Sequence, residues 1–247
     1  MGKKKKLFVV SDIHGYCTLL KNELDKVGFD RNNEDHLLIC CGDYFDRGPE
    51  NLQVLKFIEL VKNKVILRGN HEDMLLEIFD TGRIKDHNYI NGTVETLVEF
   101  FGKYAIDTTL NEIDFSGKSR ILDRVSDFIY ETADFFETKN YVFTHGWLPT
   151  VINEGKPCID KNWRNASREK WLKARWTKWT DMYENCDRLA DKTIVCGHVP
   201  SFYASKFDKS RDKYNSDVFY GKGIYVVDAG TFTSANINVL ALEDELL

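Results

Sequence analysis

The sequence predicts an α/β fold: a first, largely parallel sheet, a helical insertion over about residues 80–137, and a second, mixed sheet. Three observations predict it. In the first third, short unbroken apolar runs alternate with apolar residues at helical spacing, the pattern of βαβ units around a sheet buried on both faces. From about residue 80 to 137 only helical spacings recur. Beyond residue 140 the apolar runs return, and the last of them lie too close together to hold helices between them.

The elements follow in order. Leu7-Phe8-Val9-Val10 reads as a strand, and Leu19, Leu20 and Leu24 mark a helix to about Val27. Leu37-Leu38-Ile39-Cys40 is a second strand, followed by a helix through Leu52, Leu55, Ile58 and Leu60-Val61. Val65-Ile66-Leu67 is a third strand, with a helix through Met74, Leu75, Ile78 and Phe79. The insertion carries Val94, Leu97, Val98 and Phe101, then Ile121, Val125, Phe128, Ile129 and Phe136, all helically spaced. Strands resume at Tyr141–Phe143, Thr193–Cys196, Ile224–Val227 and Ile237–Leu240. With no internal repeat, low-complexity tract or Pro/Gly/Ser linker, residues 1–247 read as one domain.

Composition narrows the function. The chain is 43% hydrophobic, enough for a sizeable core, and 30% charged. A net charge of -5 lacks the general attraction to phosphate backbones, so no nucleic-acid partner is expected. No apolar run approaches the roughly 18–20 residues of a membrane span. Lys3-Lys4-Lys5-Lys6 reads as a solvated cap on the first strand rather than a leader. The apolar run behind it is broken at Ser11, Asp12 and His14, and no small-residue cleavage site follows. The six cysteines, Cys17, Cys40, Cys41, Cys158, Cys186 and Cys196, form no CxxC pair. Cys40-Cys41 and Cys196 fall in strands, which points to reduced, buried thiols of a cytoplasmic protein, not a disulfide framework or zinc cage.

The chemistry sits at strand ends, where open α/β sheets collect ligands. Asp12-Ile13-His14-Gly15 follows the first strand and Gly42-Asp43-Tyr44-Phe45-Asp46-Arg47-Gly48 the second. Arg68-Gly69-Asn70-His71-Glu72 follows the third, Thr144-His145-Gly146 comes after Phe143, and Gly197-His198 after Cys196. Five strand ends thus deliver carboxylate, amide and imidazole groups, and no thiolate, to one sheet edge. That donor set suits manganese, iron or zinc. Asp12 and His14, two apart on extended chain, share a face and can share one ion. Asp43 can bridge two. Two cations about 3.5–4 Å apart clamp a phosphate and bring the pKa of water toward about 7.

These five blocks, in this order, resemble the signature of the calcineurin-like metallophosphoesterases, and more narrowly their phosphoprotein-phosphatase branch with its compact bacterial and bacteriophage members. The resemblance implies two mixed sheets in a sandwich flanked by helices. It implies two divalent cations, manganese first with iron or zinc as alternatives. Asp12, His14 and Asp43 would hold one, and Asp43, Asn70, His145 and His198 the other. His71 would be the general acid, oriented by Asp46, and Arg47 would fork onto phosphate oxygens. A metal-activated hydroxide would attack phosphorus in line with no phosphoenzyme. A second phosphate-binding arginine is expected between the last two histidines. Arg175 is the choice, ahead of Arg164 and Arg168. The chain departs from the pattern at Ser11, Phe45 and Trp147, none of them a ligand.

Other residues have plainer readings. His36 and His87 belong to no block and read as surface residues. Asp228, before Ala229-Gly230, reads as a turn former that could approach the site. Trp163, Trp171, Trp176 and Trp179 read as packing over the sheet rather than base stacking. The expected activity is hydrolysis of phosphate monoesters, with phosphoserine or phosphothreonine proteins as substrate. Hydrolysis of diadenosine polyphosphates or another small ester is the alternative, with the helical insertion as a cap and Tyr44, Phe45 and Trp147 stacking on a base. A non-catalytic metal-binding module would lack a ligand or the acid, and here every one is present. Oligomeric state is not legible.

Overall fold

A computed structural model describes residues 4–185 and 191–247; Cys186 lies outside them. The first third runs β1 (Lys4–Val10), α1 (Cys17–Lys26), β2 (His36–Cys40), α2 (Asn51–Glu59), β3 (Lys64–Ile66) and α3 (Asn70–Thr81). The insertion holds α4 (Asp86–Ile90), α5 (Thr93–Phe101), a small hairpin of β4 (Ile106–Asp107) and β5 (Glu112–Ile113), and α6 (Ser119–Tyr130). Then come β6 (Phe135–Glu137), β7 (Tyr141–Thr144), a hairpin of β8 (Thr150–Asn153) and β9 (Lys156–Ile159), α7 (Arg168–Arg175) and α8 (Trp179–Asn185). The chain closes with β10 (Thr193–Cys196), β11 (Phe219–Gly221), β12 (Ile224–Val226), α9 (Thr231–Ser234) and β13 (Leu240–Glu245).

Two mixed sheets result, ordered β13-β1-β2-β3 and β11-β12-β10-β7-β6. Strand periodicity explains how they stack. Leu7, Val9, Leu37, Ile39 and Cys41 point inward and share a buried cluster with Phe143, Val195 and Val227 of the other sheet. Their neighbours Phe8, Val10, Leu38 and Cys40 point outward under the helices, against Leu20, Leu24, Leu55 and Ile58. Alternate residues face opposite sides and both sides are covered, so the strands read as unbroken apolar runs. On the far side, Val142, Ile194, Cys196, Ile224 and Val226 lie under Trp163, Trp171 and Trp179. Those three tryptophans are therefore core, as read from the sequence, while Trp176 is 47% exposed.

Register brings the chemistry to one edge. Val10 pairs Cys40 across parallel β1 and β2, and Cys40 pairs Ile66 across β2 and β3. The loops that follow leave the sheet side by side. Parallel β7 and β10 pair Phe143 with Val195, which aligns His145 with Gly197 in the same way. The insertion packs Leu97, Phe100, Phe101, Val125, Phe128 and Ile129 into the helical side of the core.

Two stretches differ from expectation: Phe136, read as helical, lies in β6 and pairs with Phe143 of β7, and the last strand begins late. Ile237–Val239 is not strand; the strand starts at Leu240 and pairs antiparallel with β1, so the chain returns to the first sheet. Ile237 is buried instead in the helical core. The acidic half of β13 hid it, because an edge strand exposed on one side alternates instead of running apolar. His36 is half-buried with its ring 4.8 Å from that of Phe8, not a free surface residue, whereas His87 is exposed.

Candidate active site

The loops at this edge are bent sharply. Among the described residues nine non-glycines have positive φ, and six of them are Asp12, His14, Asp43, Asp46, Arg47 and His198. A side chain in that left-handed region costs roughly 1 kcal/mol or more, and such residues gather at functional sites. Where even a Cβ would not fit, glycine stands. At Gly197 it would fall 2.2 Å from Asp12 Oδ2, so the loop after β10 lies directly on the loop after β1.

The structure brings the six candidate ligands together. The His198 amide donates to Asp12 Oδ2 at 3.0 Å, and Ser11 Oγ donates to the same oxygen at 2.5 Å. His14 Nε2 lies 3.9 Å from Asp12 Oδ1 and 3.8 Å from Asp43 Oδ2. His145 Nε2 lies 3.4 Å from Asp43 Oδ1 and 2.8 Å from Asn70 Oδ1. The rings are aimed by their other nitrogens. His14 Nδ1 meets the Phe45 carbonyl at 2.9 Å and His145 Nδ1 meets the Cys41 carbonyl at 2.7 Å. Each carbonyl takes the N–H and leaves Nε2 as a lone pair facing the centre.

Beside them stand the other three residues of the second and third blocks. His71 Nδ1 meets Asp46 Oδ2 at 2.7 Å, and Thr93 Oγ1 donates to that same oxygen at 2.8 Å. Arg47 turns its guanidinium onto His14 Nε2 at 2.9 Å and His71 Nε2 at 3.2 Å. His71 Nε2 is also 3.8 Å from Asp43 Oδ2, as close as His14, a position the ligand set read from the sequence did not give it.

Arg175 is buried, but it faces carboxylates: Nε is 2.6 Å from Asp73 Oδ2 and Nη1 is 2.5 Å from Asp134 Oδ1. Arg164 pairs with Glu137 on the surface at 2.7 Å. The aromatic residues offered for base stacking do not face a ligand at all. Tyr44, Phe45 and Trp147 are completely buried. Tyr44 donates to the Cys40 and Leu67 carbonyls and, like Phe45, packs on Phe128. Tyr44 and Phe45 turn into the core between the left-handed residues Asp43 and Asp46, and Trp147 packs in the core on the far side of the second sheet. Asp228 does form a turn, accepting from the Gly230 amide at 2.6 Å, and it is buried beside Asp12.

Several supporting residues were not foreseen. Thr93 and Thr96 reach Asp46 from α5, Thr96 Oγ1 accepting from its amide at 3.1 Å. Glu72 accepts from the amides of Asp43, Tyr44 and Gly69 at 2.8–2.9 Å, tying the second block to the third. Thr231 Oγ1 donates to the Asp12 carbonyl at 2.8 Å. A threonine hydroxyl in an insertion carries no motif, so only Glu72, within its block, offered a signal.

Burial dominates the electrostatics. It lowers His14 and His71 well below the ordinary histidine value, lowers His145, and lowers His198 to about 3. Burial, followed by the Asp12 carboxylate, raises Asp43 and Asp228 well above the carboxylate range. Neutral imidazoles with lone pairs turned inward, and carboxylates crowded together, call for cations. The arrangement fits them. Atoms of His14, Asp43 and His71 lie within 4.8 Å of one another, and so do atoms of Asp43, His145 and His198. Asp43 is common to both groups, and the Arg47 guanidinium, itself a cation, is drawn onto the lone pairs of the first.

The calcineurin-like phosphoesterase family model matches residues 5–228. The chain belongs to the calcineurin-like phosphoesterases. As a member of that family it is a metal-dependent hydrolase of phosphate esters, and the family's divalent cations correspond to the His/Asp groups just described. It is 39% identical over 241 residues to serine/threonine-protein phosphatase 2 of Salmonella typhimurium, covering 96% of this chain and 93% of that one. The Escherichia coli protein of the same name is 43% identical over 76 residues, a stretch spanning 34% of its length. The symmetrical bis(5'-nucleosyl)-tetraphosphatase of Wigglesworthia glossinidia brevipalpis is 36% identical over 73 residues, 29% of this chain and 26% of that one. Among solved structures, a Saccharomyces cerevisiae protein serine/threonine phosphatase with similarity to human PP5 shares the phosphoesterase fold. Its TM-score is 0.54 at 14% identity, over 98% of this chain and 80% of that one. No described helix is long and apolar enough to cross a membrane.

Proposed function

We propose that this phosphoesterase is a two-metal serine/threonine protein phosphatase. The observation that carries the reading is the extent of the likeness: it runs along 96% of the chain for the Salmonella protein phosphatase and along 29% for the Wigglesworthia tetraphosphatase. The burial of Tyr44, Phe45 and Trp147 supports it, because the base-stacking surface expected of a dinucleotide hydrolase is absent there.

Asp12, His14 and Asp43 would hold one cation, and Asp43, Asn70, His145 and His198 the other. Manganese is the first choice, with iron and zinc as alternatives, since a mixed carboxylate and imidazole donor set suits all three. When bound, the pair supplies Lewis acidity toward the phosphoryl oxygens and makes water acidic enough to ionise near neutral pH. The remaining work falls to side chains of the chain. Asp46 accepts the Nδ1 proton of His71, so Nε2 is the nitrogen presented to the ester. His71 is the general acid that delivers a proton from Nε2 to the leaving alkoxide. Burial and the Arg47 charge keep its imidazole neutral before substrate arrives. An anionic phosphate reverses that environment and favours the imidazolium. Arg47, now resting on His14 and His71, is the fork that moves onto phosphate oxygens. Arg175, held by Asp73 and Asp134, is the second cation for the phosphoryl group. Free thiols at Cys17, Cys40, Cys41, Cys158 and Cys196 suit a cytoplasmic protein.

The test is a substrate panel with the manganese-loaded protein: para-nitrophenyl phosphate, a phosphoserine peptide and diadenosine tetraphosphate. Peptide dephosphorylation with little release of ADP or ATP is expected. Turnover of the dinucleotide without the peptide would reverse the assignment.

A further inference from the structure

One face of α5 carries the helical insertion into contact with the site. Thr93, Thr96 and Glu99 follow one another at helical spacing, so they lie one above the next. All three grip the Asp46–Leu52 stretch. Thr93 Oγ1 donates to Asp46 Oδ2 at 2.8 Å. Thr96 Oγ1 donates to the Gly92 carbonyl at 3.3 Å and accepts from the Asp46 amide at 3.1 Å. Glu99 accepts from the amides of Asn51 and Leu52 at 3.0 and 2.8 Å and from Asn51 Nδ2 at 2.8 Å. Asn51 Oδ1 in turn accepts from the Asp46 amide at 2.9 Å.

Of the three, Thr93 acts on the carboxylate itself. Asp46 Oδ2 takes two bonds, from Thr93 and from His71 Nδ1 at 2.7 Å, while Oδ1 is buried with no partner among the described residues. The Cβ–Cγ torsion of an aspartate is broad, so a carboxylate whose only partner was His71 would be loosely set. A threonine side chain is stiff at χ1, and this one stands on a helix anchored in the core through Leu97, Phe100 and Phe101. Thr93 and Asp46 are completely buried, which shields their bond from competing water. The hydroxyl therefore fixes the carboxylate plane. The carboxylate in turn aims the imidazole, whose far nitrogen, Nε2, lies 3.8 Å from Asp43 Oδ2 at the centre of the site.

We propose that Thr93 is a positioning residue for the general acid: from the insertion it sets the Asp46 carboxylate, and through it the plane of His71. This rests on the general-acid reading of His71 above. In that step the Nε2 proton passes to the leaving oxygen as its bond to phosphorus breaks. The imidazolium becomes neutral imidazole, and the Nδ1 proton stays in the bond to Asp46. Thr93 acts on this transfer and not on binding of the phosphate.

The experiment compares two monoesters with the manganese-loaded full chain. The leaving group of para-nitrophenyl phosphate needs little protonation, and that of phenyl phosphate needs more. Thr93→Val keeps the shape and removes the hydroxyl. It is expected to lower kcat on phenyl phosphate by about 10–100-fold and on the nitrophenyl ester by about threefold, with KM and metal content near wild type. Thr93→Ala, which removes the hydroxyl without filling its space, is expected to show the same bias. Thr93→Ser, which keeps the hydroxyl, is expected to restore phenyl phosphate turnover to within about threefold of wild type. His71→Asn, measured alongside, is expected to show the bias in larger form. Equal losses on both esters in Thr93→Val and Thr93→Ala, or no rescue by a metal-replete Thr93→Ser, would overturn the positioning role alone. A His71→Asn enzyme without leaving-group bias would overturn the general-acid reading and the positioning role with it.

Discussion

The amide of His198 and the carboxylate of Asp12 meet at 3.0 Å across the junction of the two sheets. Asp12 follows β1 of the first sheet and His198 follows β10 of the second. The site is thus a seam: Asp12, His14, Asp43 and Asn70 follow strands of the first sheet and His145 and His198 strands of the second, so its geometry depends on how the sheets are stacked.

Asp43 and His71 should separate by role. His71→Asn is expected to lower kcat on para-nitrophenyl phosphate by about 10²–10⁴-fold with metal content near normal. Because His71 Nε2 is as near Asp43 as His14 is, metal analysis of the variant decides between acid and ligand. Loss of metal with activity per bound metal unchanged would reassign it.

Asp43→Asn is expected to lower the occupancy of both cations together, since Oδ1 and Oδ2 face different histidines. Elemental analysis after dialysis measures it; loss confined to one ion would show that Asp43 does not bridge.

Gly92→Ala places a methyl 2.5 Å from the Arg47 nitrogen at a φ of +78°. We expect about 1–2 kcal/mol of destabilisation from the left-handed alanine. Since Arg47 must shift, we also expect a KM for nitrophenyl phosphate raised at least several-fold. Urea melts and steady-state kinetics test the two effects separately.

Asp244 ties β13 to the turn between β6 and β7: Oδ2 accepts from Thr138 Oγ1 at 2.6 Å and from the Asn140 amide at 2.8 Å. Burial pushes this carboxyl up, but the bonds from Thr138 and Asn140 outweigh it and hold it below the ordinary range. A depressed carboxylate contributes stability above its unfolded pKa of about 3.9 and loses it as pH falls through the lower folded value. Asp244→Ala should therefore cost about 1.5–3 kcal/mol at pH 7. The gap from wild type should narrow below about pH 4, as thermal melts across that range would show.

The first sheet was legible because both its faces are buried, so Phe8-Val9-Val10 and Leu37–Cys40 stand out as apolar runs whichever way each residue points. The return of β13 to that sheet was not, since the edge strand Leu240–Glu245 ends in three consecutive acidic residues, Glu243-Asp244-Glu245, in place of an apolar run. Ligand types at strand ends were readable because each lies within a few residues of its strand. Side-chain direction was not: Tyr44 and Phe45 sit in the same loop as Asp43 and Asp46 yet face the core. Support from Thr93, 47 residues beyond Asp46, leaves no local trace.

The left-handed corners at Asp12, His14, Asp43, Asp46, Arg47 and His198 carry a wider implication. Backbone comfort alone would put glycine or asparagine at all six. Keeping functional side chains there makes this rim the least relaxed part of an otherwise well-packed molecule. Substitution to glycine at such corners should then produce proteins that fold more tightly and catalyse nothing, so folding robustness and chemistry oppose each other along this one edge.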